Sequence, residues 1–151
     1  MRLSIAAIGQ SRHAPEQKLA EGWFTKLPYK GQMTELQSKL PQGQKRRDDE
    51  GTRLLATTPE NALIIAMDPN GRDTSSEELA IFIRKHRDAG ARDAVFAIGG
   101  ADGHSDAFLS RADFTMAFGR QTWPHMLFRA MLAEQLFRAE MILAGHPYHH
   151  A

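Results

Sequence analysis

Ala62-Leu63-Ile64-Ile65-Ala66-Met67, followed at once by Asp68-Pro69-Asn70-Gly71, decides how this chain is read. Six apolar residues in a row have the length of a strand and no polar alternation, the pattern of a strand covered on both faces and therefore of a parallel sheet. Asp68-Pro69-Asn70-Gly71 reads as a turn, and Thr74-x-x-Glu77 as a capping box opening a helix that runs to Ala89 and stops at Gly90. Downstream, Ala94-Val95-Phe96-Ala97-Ile98 repeats the buried-strand pattern and ends in Gly99-Gly100-Ala101-Asp102-Gly103. Ser105 to Arg111 is a short helix, Phe114 to Phe118 a further strand, and after the loop Gly119 to Trp123, Pro124 opens a long helix ending near Gly145. Upstream, Arg2 to Ile8 reads as a strand broken by Gly9. Pro15 opens a helix carrying Leu19, Trp23 and Leu27 at four-residue steps, a weaker strand lies near Met33 to Gln37, and Arg46 to Thr58 is a second helix before Pro59. Strands alternating with helices predict one α/β domain over residues 1–151, a mostly parallel sheet flanked by helices.

Composition narrows the function classes. A chain of 151 residues, 42% apolar and 25% charged, buries one ordinary core and is neither disordered nor fibrous. The longest apolar region, Met126 to Leu143, is interrupted by Arg129, Glu134, Arg138 and Glu140. Each charge would cost roughly 2.5–3.5 kcal/mol at a membrane centre, so no membrane span is expected. The absence of cysteine excludes disulfides, a thiol nucleophile and Cys-based zinc sites, and with no signal-peptide pattern at Met1-Arg2-Leu3-Ser4-Ile5 it agrees with a cytoplasmic protein. The net charge is +1, unevenly spread. Residues 1–53 hold ten Lys/Arg against six acids, residues 54–118 six against ten, and residues 119–151 three against two. So small a total makes bulk attraction to nucleic acid weak. Lys45-Arg46-Arg47 before Asp48-Asp49-Glu50 reads as a helix start with self-compensating charge. Met126 to Leu143 carries apolar residues around almost its whole circumference, which calls for burial on nearly every side. Either a second copy of the chain covers its outer face, the reading we favour, or the helix is enclosed within one copy.

Chemistry in an open α/β sheet sits beyond the carboxyl ends of the strands. Three such ends are candidates: Met67 to Gly71, Ile98 to Gly103, and Ala117 to Pro124. The glycines admit a ligand close to the backbone. The spacing is wrong for G-x-G-x-x-G, and neither a G-x-x-x-x-G-K-[ST] loop nor a G-x-S-x-G elbow occurs, so dinucleotide, NTPase and hydrolase motifs are missing. His146, His149 and His150 form a terminal cluster, but metal is not expected there, because a site needs converging ligands with second-shell support.

Several motifs occur in one order: Ala66-Met67-Asp68 with Gly71 and Ser75-Ser76-Glu77-Glu78; Ile98-Gly99-Gly100-Ala101-Asp102-Gly103; Thr122-Trp123-Pro124-His125; Arg129 with Leu132 to Ala139; and Gly145-His146-Pro147-Tyr148-His149. Together they closely resemble the RlmH family (YbeA-like) of ribosomal RNA methyltransferases, small members of the SPOUT superfamily. The resemblance implies an α/β knot fold with a C-terminal trefoil knot and a homodimer. It also implies S-adenosylmethionine as methyl donor, and methylation of the imino nitrogen, position 3, of a pseudouridine in 23S rRNA. Carried over by motif, it places Met67, Gly100, Gly119, Arg120, Gln121, Thr122, Trp123 and Pro124 at the cofactor. It makes Arg129, His146, Tyr148, His149 and His150 RNA-facing, with Tyr148 and His149 in the reaction centre. Two stretches depart from many relatives: the tail ends His149-His150-Ala151 in place of His-Arg and an acid, and the loop Gly119 to Trp123 lacks a Ser- and Leu-rich character.

Methyl transfer from a sulfonium needs in-line positioning and no metal, while the target nitrogen must lose a proton, for which His149 and His125 are available and water is the alternative. Weak bulk charge predicts recognition of assembled ribosomal particles rather than naked rRNA. The rival reading is a non-catalytic ribosome-associated module with the same fold.

Overall fold

The computed structural model describes residues 1–149. Their element order is β1 (Arg2–Ile8), α1 (Pro15–Phe24), β2 (Lys30–Leu36), α2 (Gln44–Ala56), β3 (Leu63–Asp73), α3 (Ser76–Asp88), β4 (Asp93–Ile98), α4 (Asp106–Arg111), β5 (Phe114–Ala117) and α5 (His125–Leu143), closed by a 3-10 turn at Pro147–His149. The five strands form one sheet in the order β2-β1-β4-β3-β5, every pairing parallel. All six residues of β4 are buried, as its central position requires; Ala94 to Ile98 are apolar, and Asp93 at its start is paired with Arg2 at 2.7 Å.

Alternation along the strands splits the core in two. On one face Leu3, Ile5, Ala7, Ile65, Met67, Phe96 and Ile98 pack with Ala20 and Phe24 of α1, Leu79 and Ile83 of α3, and Leu132, Ala133 and Leu136 of α5. On the other, Ala6, Ile8, Ile64, Ala66, Val95 and Ala97 pack with Leu54 of α2 and Phe108 of α4. Each fully buried Leu, Ile or Phe contributes about 1.5–3 kcal/mol, so the sheet is held by both layers. An ion pair between Arg87 and the buried Glu140 ties α3 to α5.

Three local expectations are corrected. Asp68 to Gly71 does not turn the chain: β3 continues to Asp73, with a register shift against β5 between Met67 and Arg72. A Cβ at Gly71 would lie 2.7 Å from the backbone of Met116, so glycine is what lets the two strands cross so closely. The capping box sits one residue later than read. Ser75 Oγ accepts the Glu78 amide at 3.2 Å and the Glu78 carboxylate accepts the Ser75 amide at 2.9 Å, while Thr74 donates its hydroxyl to the Arg72 carbonyl instead. On α1 the buried positions are Gln17, Ala20 and Phe24; Leu19 is exposed, and Leu27 is buried only after the helix has ended. Among the described residues, no helix is long and apolar enough to cross a membrane.

Candidate active site

The carboxyl ends of β1, β3, β4 and β5 open into a cavity of about 590 Å³. Its walls come from Ile8 and Gly9, from Met67 to Pro69, from Ile98 to Ala101 with Gly103, and from Met116 to Gly119. Gln121, Thr122 and Trp123 close it from the loop before α5, where His125 and Phe128 follow. All three strand-end loops singled out from sequence meet here. Of the residues expected at a cofactor, Met67, Gly100, Gly119, Gln121, Thr122 and Trp123 line the cavity. Arg120 and Pro124 do not: Arg120 is exposed, and Pro124 is the N-cap of α5. Trp123 is fixed by its indole N–H, which donates to the Phe118 carbonyl at 3.0 Å, and the Gly119 amide donates to Asp73 at 3.0 Å.

Sequence reading missed the contribution of β1 and its supports. Gly9 sits at φ +102°, in the left-handed region, and presents its carbonyl to Arg129 Nη2 at 2.7 Å. Arg129 was expected to face RNA; the structure corrects this, for the side chain is 1% exposed and its hydrogen bonds turn inward. Nη1 donates to Glu35 at 2.8 Å and Gln17 at 3.3 Å, and Nη2 to the carbonyls of Ile8 at 3.1 Å and Gly9. Nη2 also lies 3.1 Å from His125 Nε2, which accepts from it. Burial opposes the Glu35 charge, but its hydrogen bonds from Ser11 and the Arg129 guanidinium outweigh this and hold the carboxyl below its ordinary range. Burial, then the Arg129 charge, pushes His125 down, so its ring is neutral.

His104, also unnoticed in sequence, lines the cavity beneath the glycine loop. Its Nε2 lies 3.2 Å from the carbonyls of both Met67 and Ala97, so that nitrogen carries the proton and ties the ends of β3 and β4. The ring stacks on Phe108 at 4.6 Å, and burial lowers its pKa.

The tail residues lie elsewhere. Tyr148 donates to Glu134 at 2.9 Å, packs against Trp23 and Phe137, and sits under the Arg138 guanidinium. Burial and the Glu134 hydrogen bond raise its pKa, so the phenol is neutral and no base. His149 Nδ1 donates to the His146 carbonyl at 2.7 Å, and His146 is exposed. None of these three lines the cavity of its own chain. His150 lies outside the described residues. Among the described residues no three His, Asp or Glu side chains converge as a metal-binding group.

A second, more open groove runs between α1, α3 and α5, lined by the exposed Leu19 and Leu127 together with Trp23, Ala130, Met131 and Glu134. Phe118 and Gly119 border both the groove and the cavity.

The chain matches, over residues 1–149, the family described as Predicted SPOUT methyltransferase. It is 49% identical over 150 residues to the ribosomal RNA large subunit methyltransferase H of Paramagnetospirillum magneticum, covering 99% of each chain. It is 44% identical over 158 residues to the protein of the same name from Hyphomonas neptunium, covering 100% of each. Among solved structures it is similar to the SpoU methyltransferase AviRb from Streptomyces viridochromogenes in complex with AdoMet, with a TM-score of 0.50 and 12% identity over 93% of this chain and 58% of that one, a likeness of fold. The chain belongs to the SPOUT methyltransferase family.

Proposed function

We propose that this protein is an S-adenosylmethionine-dependent methyltransferase that acts in the cytoplasm on position 3 of a pseudouridine in 23S rRNA, within ribosomal particles. The observation that carries the reading is the cavity. Its volume is within the range of cofactor sites, its walls are largely apolar and backbone-built, and the loops that line it are those the family resemblance assigns to the cofactor. Gly100 lines that cavity, and a Cβ there would strike the Glu50 carboxylate at 2.7 Å, so glycine is what lets Glu50 pack behind this part of the wall. When bound, S-adenosylmethionine supplies an activated methyl group on a positively charged sulfur. The chain's contribution is placement. Met67, Ile98, Met116, Phe118 and Trp123 exclude water from the cavity, and the Arg129 and His104 hydrogen bonds fix the strand ends that form it.

The active species on this reading is a homodimer. The groove beside α5 leaves Leu127 and Leu19 uncovered and shares Phe118 and Gly119 with the cavity, so a second copy seated there abuts the cavity mouth. Tyr148, held by Glu134 on the rim of that groove, is then positioned to complete the partner's site together with His146 and His149. A threaded C-terminal knot agrees with the loop before α5 sharing a cavity with the loops after β3 and β4.

Two measurements test the proposal. Calorimetric titration with S-adenosylhomocysteine should give saturable heat, and mass spectrometry of 23S rRNA should show one methylated pseudouridine that disappears when the protein is removed. Absence of heat would leave the non-catalytic ribosome-associated module as the better account.

A further inference from the structure

The run Lys45-Arg46-Arg47 is not one solvated cluster. Arg47 donates to Gln44 at 2.6 Å, and the neighbouring acid Asp49 is taken by Arg53 at 2.7 Å. Arg46 alone of the three lines the cavity, where it joins Asp68, His104 and His125 as a titratable side chain in the wall. Its Nε donates to Glu50 at 2.9 Å, and Glu50 is 3% exposed, its carboxylate pressed against Gly100. An ordinary i,i+4 helix pair stabilises little, and burying a carboxylate to make one is unfavourable. This arrangement does something else: the buried carboxylate clamps the guanidinium by Nε, while the Arg46 side chain stays one-third exposed in the cavity wall. Of the other titratable side chains in the wall, His125 and His104 have their charged forms disfavoured by burial and Asp68 is an acid, occupied by the Asn70 amide at 2.8 Å, which leaves Arg46 as the cation of this lining.

We infer that Arg46, clamped by Glu50, is an anion receptor in the wall of the cavity, taking a pair of anionic oxygens from a phosphate of the RNA strand or from the carboxylate at the amino-acid end of the cofactor. A planar guanidinium fixed at one nitrogen is suited to such bidentate contact. The inference rests on the methyltransferase reading.

The test compares the parent dimer with Arg46→Gln and Arg46→Lys. Calorimetry uses S-adenosylhomocysteine and 5′-methylthioadenosine, which lacks the amino-acid end; co-sedimentation uses large ribosomal subunits lacking the modification, at two salt concentrations. If the anion is the cofactor carboxylate, Arg46→Gln weakens S-adenosylhomocysteine about tenfold, leaves methylthioadenosine unchanged, and Arg46→Lys recovers part of the loss. If it is an RNA phosphate, both nucleosides bind as before, while subunit affinity falls about tenfold and its salt dependence becomes shallower. Unchanged binding in both arms overturns the inference. So does an equal loss for the two nucleosides, which marks a deformed wall. A parent protein that binds neither probe overturns the methyltransferase reading and this inference with it.

Discussion

Replacing Arg129 by Met removes a buried cation of similar volume and leaves its acceptors behind. In the parent, that guanidinium serves Glu35, Gln17, His125 and the carbonyls of Ile8 and Gly9 from a position 1% exposed. Breaking a buried ion pair by removing one partner costs about 3–5 kcal/mol. The Glu35 side chain is 27% exposed, so solvent recovers part of that and places the pair near the lower limit. The two carbonyls lose their donor as well, at about 1–3 kcal/mol for each one left dry. Taken at the lower limits throughout, a total of about 5 kcal/mol follows, and with roughly 2–4 °C per kcal/mol for a domain of this size the melting temperature should fall by about 10–20 °C. Calorimetric melting of Arg129→Met, Glu35→Gln and the double variant measures it. The double variant should be more stable than the sum of the single losses implies, because the stranded carboxylate has gone with its partner. A melting temperature within 2 °C of the parent, or strict additivity, would refute the account of Arg129 as the buried link between α5 and the end of β1.

Other outcomes follow from the same geometry. Gly71→Ala should lose about 1–3 kcal/mol, because its Cβ meets the Met116 backbone and only movement of β5 relieves the contact. Gly22→Ala, in the last turn of α1 with open space around it, should gain about 0.5–1 kcal/mol; chemical denaturation of the pair checks both signs. Burial drives His104 and His125 below 6.5 in the folded chain. The unfolded chain therefore takes up protons first on acidification, and the stability these rings hold above pH 6.5 is lost as pH falls through their lower native values. Melting curves from pH 7.5 to 5 should show that decline, and His104→Asn should flatten it; an identical decline in the variant would exonerate His104. Leu127→Asp, in the groove beside α5, should convert the proposed homodimer to monomers by light scattering without unfolding the chain; an unchanged mass would count against that interface.

The sheet was legible wherever burial was uniform. β3 and β4 announce themselves because a strand covered on both faces has no polar residue to interrupt it, and Pro15 and Pro124 mark helix starts for local reasons. The tail end of β3 was not legible. Asp68-Pro69-Asn70-Gly71 has the chemistry of a turn, and only pairing with β5, some forty residues later in the chain, keeps it extended. The cavity was readable as three loops after three strands, since topology alone brings those ends together. Its supports were not. Arginine is normally a surface residue, and apart from His125 one turn before it Arg129 finds its acceptors 94 to 121 positions away, a distance no local pattern encodes. In sequence Arg46 reads as part of a balanced charge run, because which of three adjacent cations lines the cavity depends on how α2 seats against the sheet.

The cavity gathers residues from Ile8 to Phe128 and has no local fragment of its own. A nascent chain still lacking β5 and the start of α5 has only part of that wall and cannot enclose a ligand. The ligand acts afterwards, by mass action on the finished molecule: at a hundredfold excess over its dissociation constant it adds about 2.7 kcal/mol. On the proposed function, the protein's resistance to heat and proteolysis inside a cell would then rise and fall with the supply of the methyl donor.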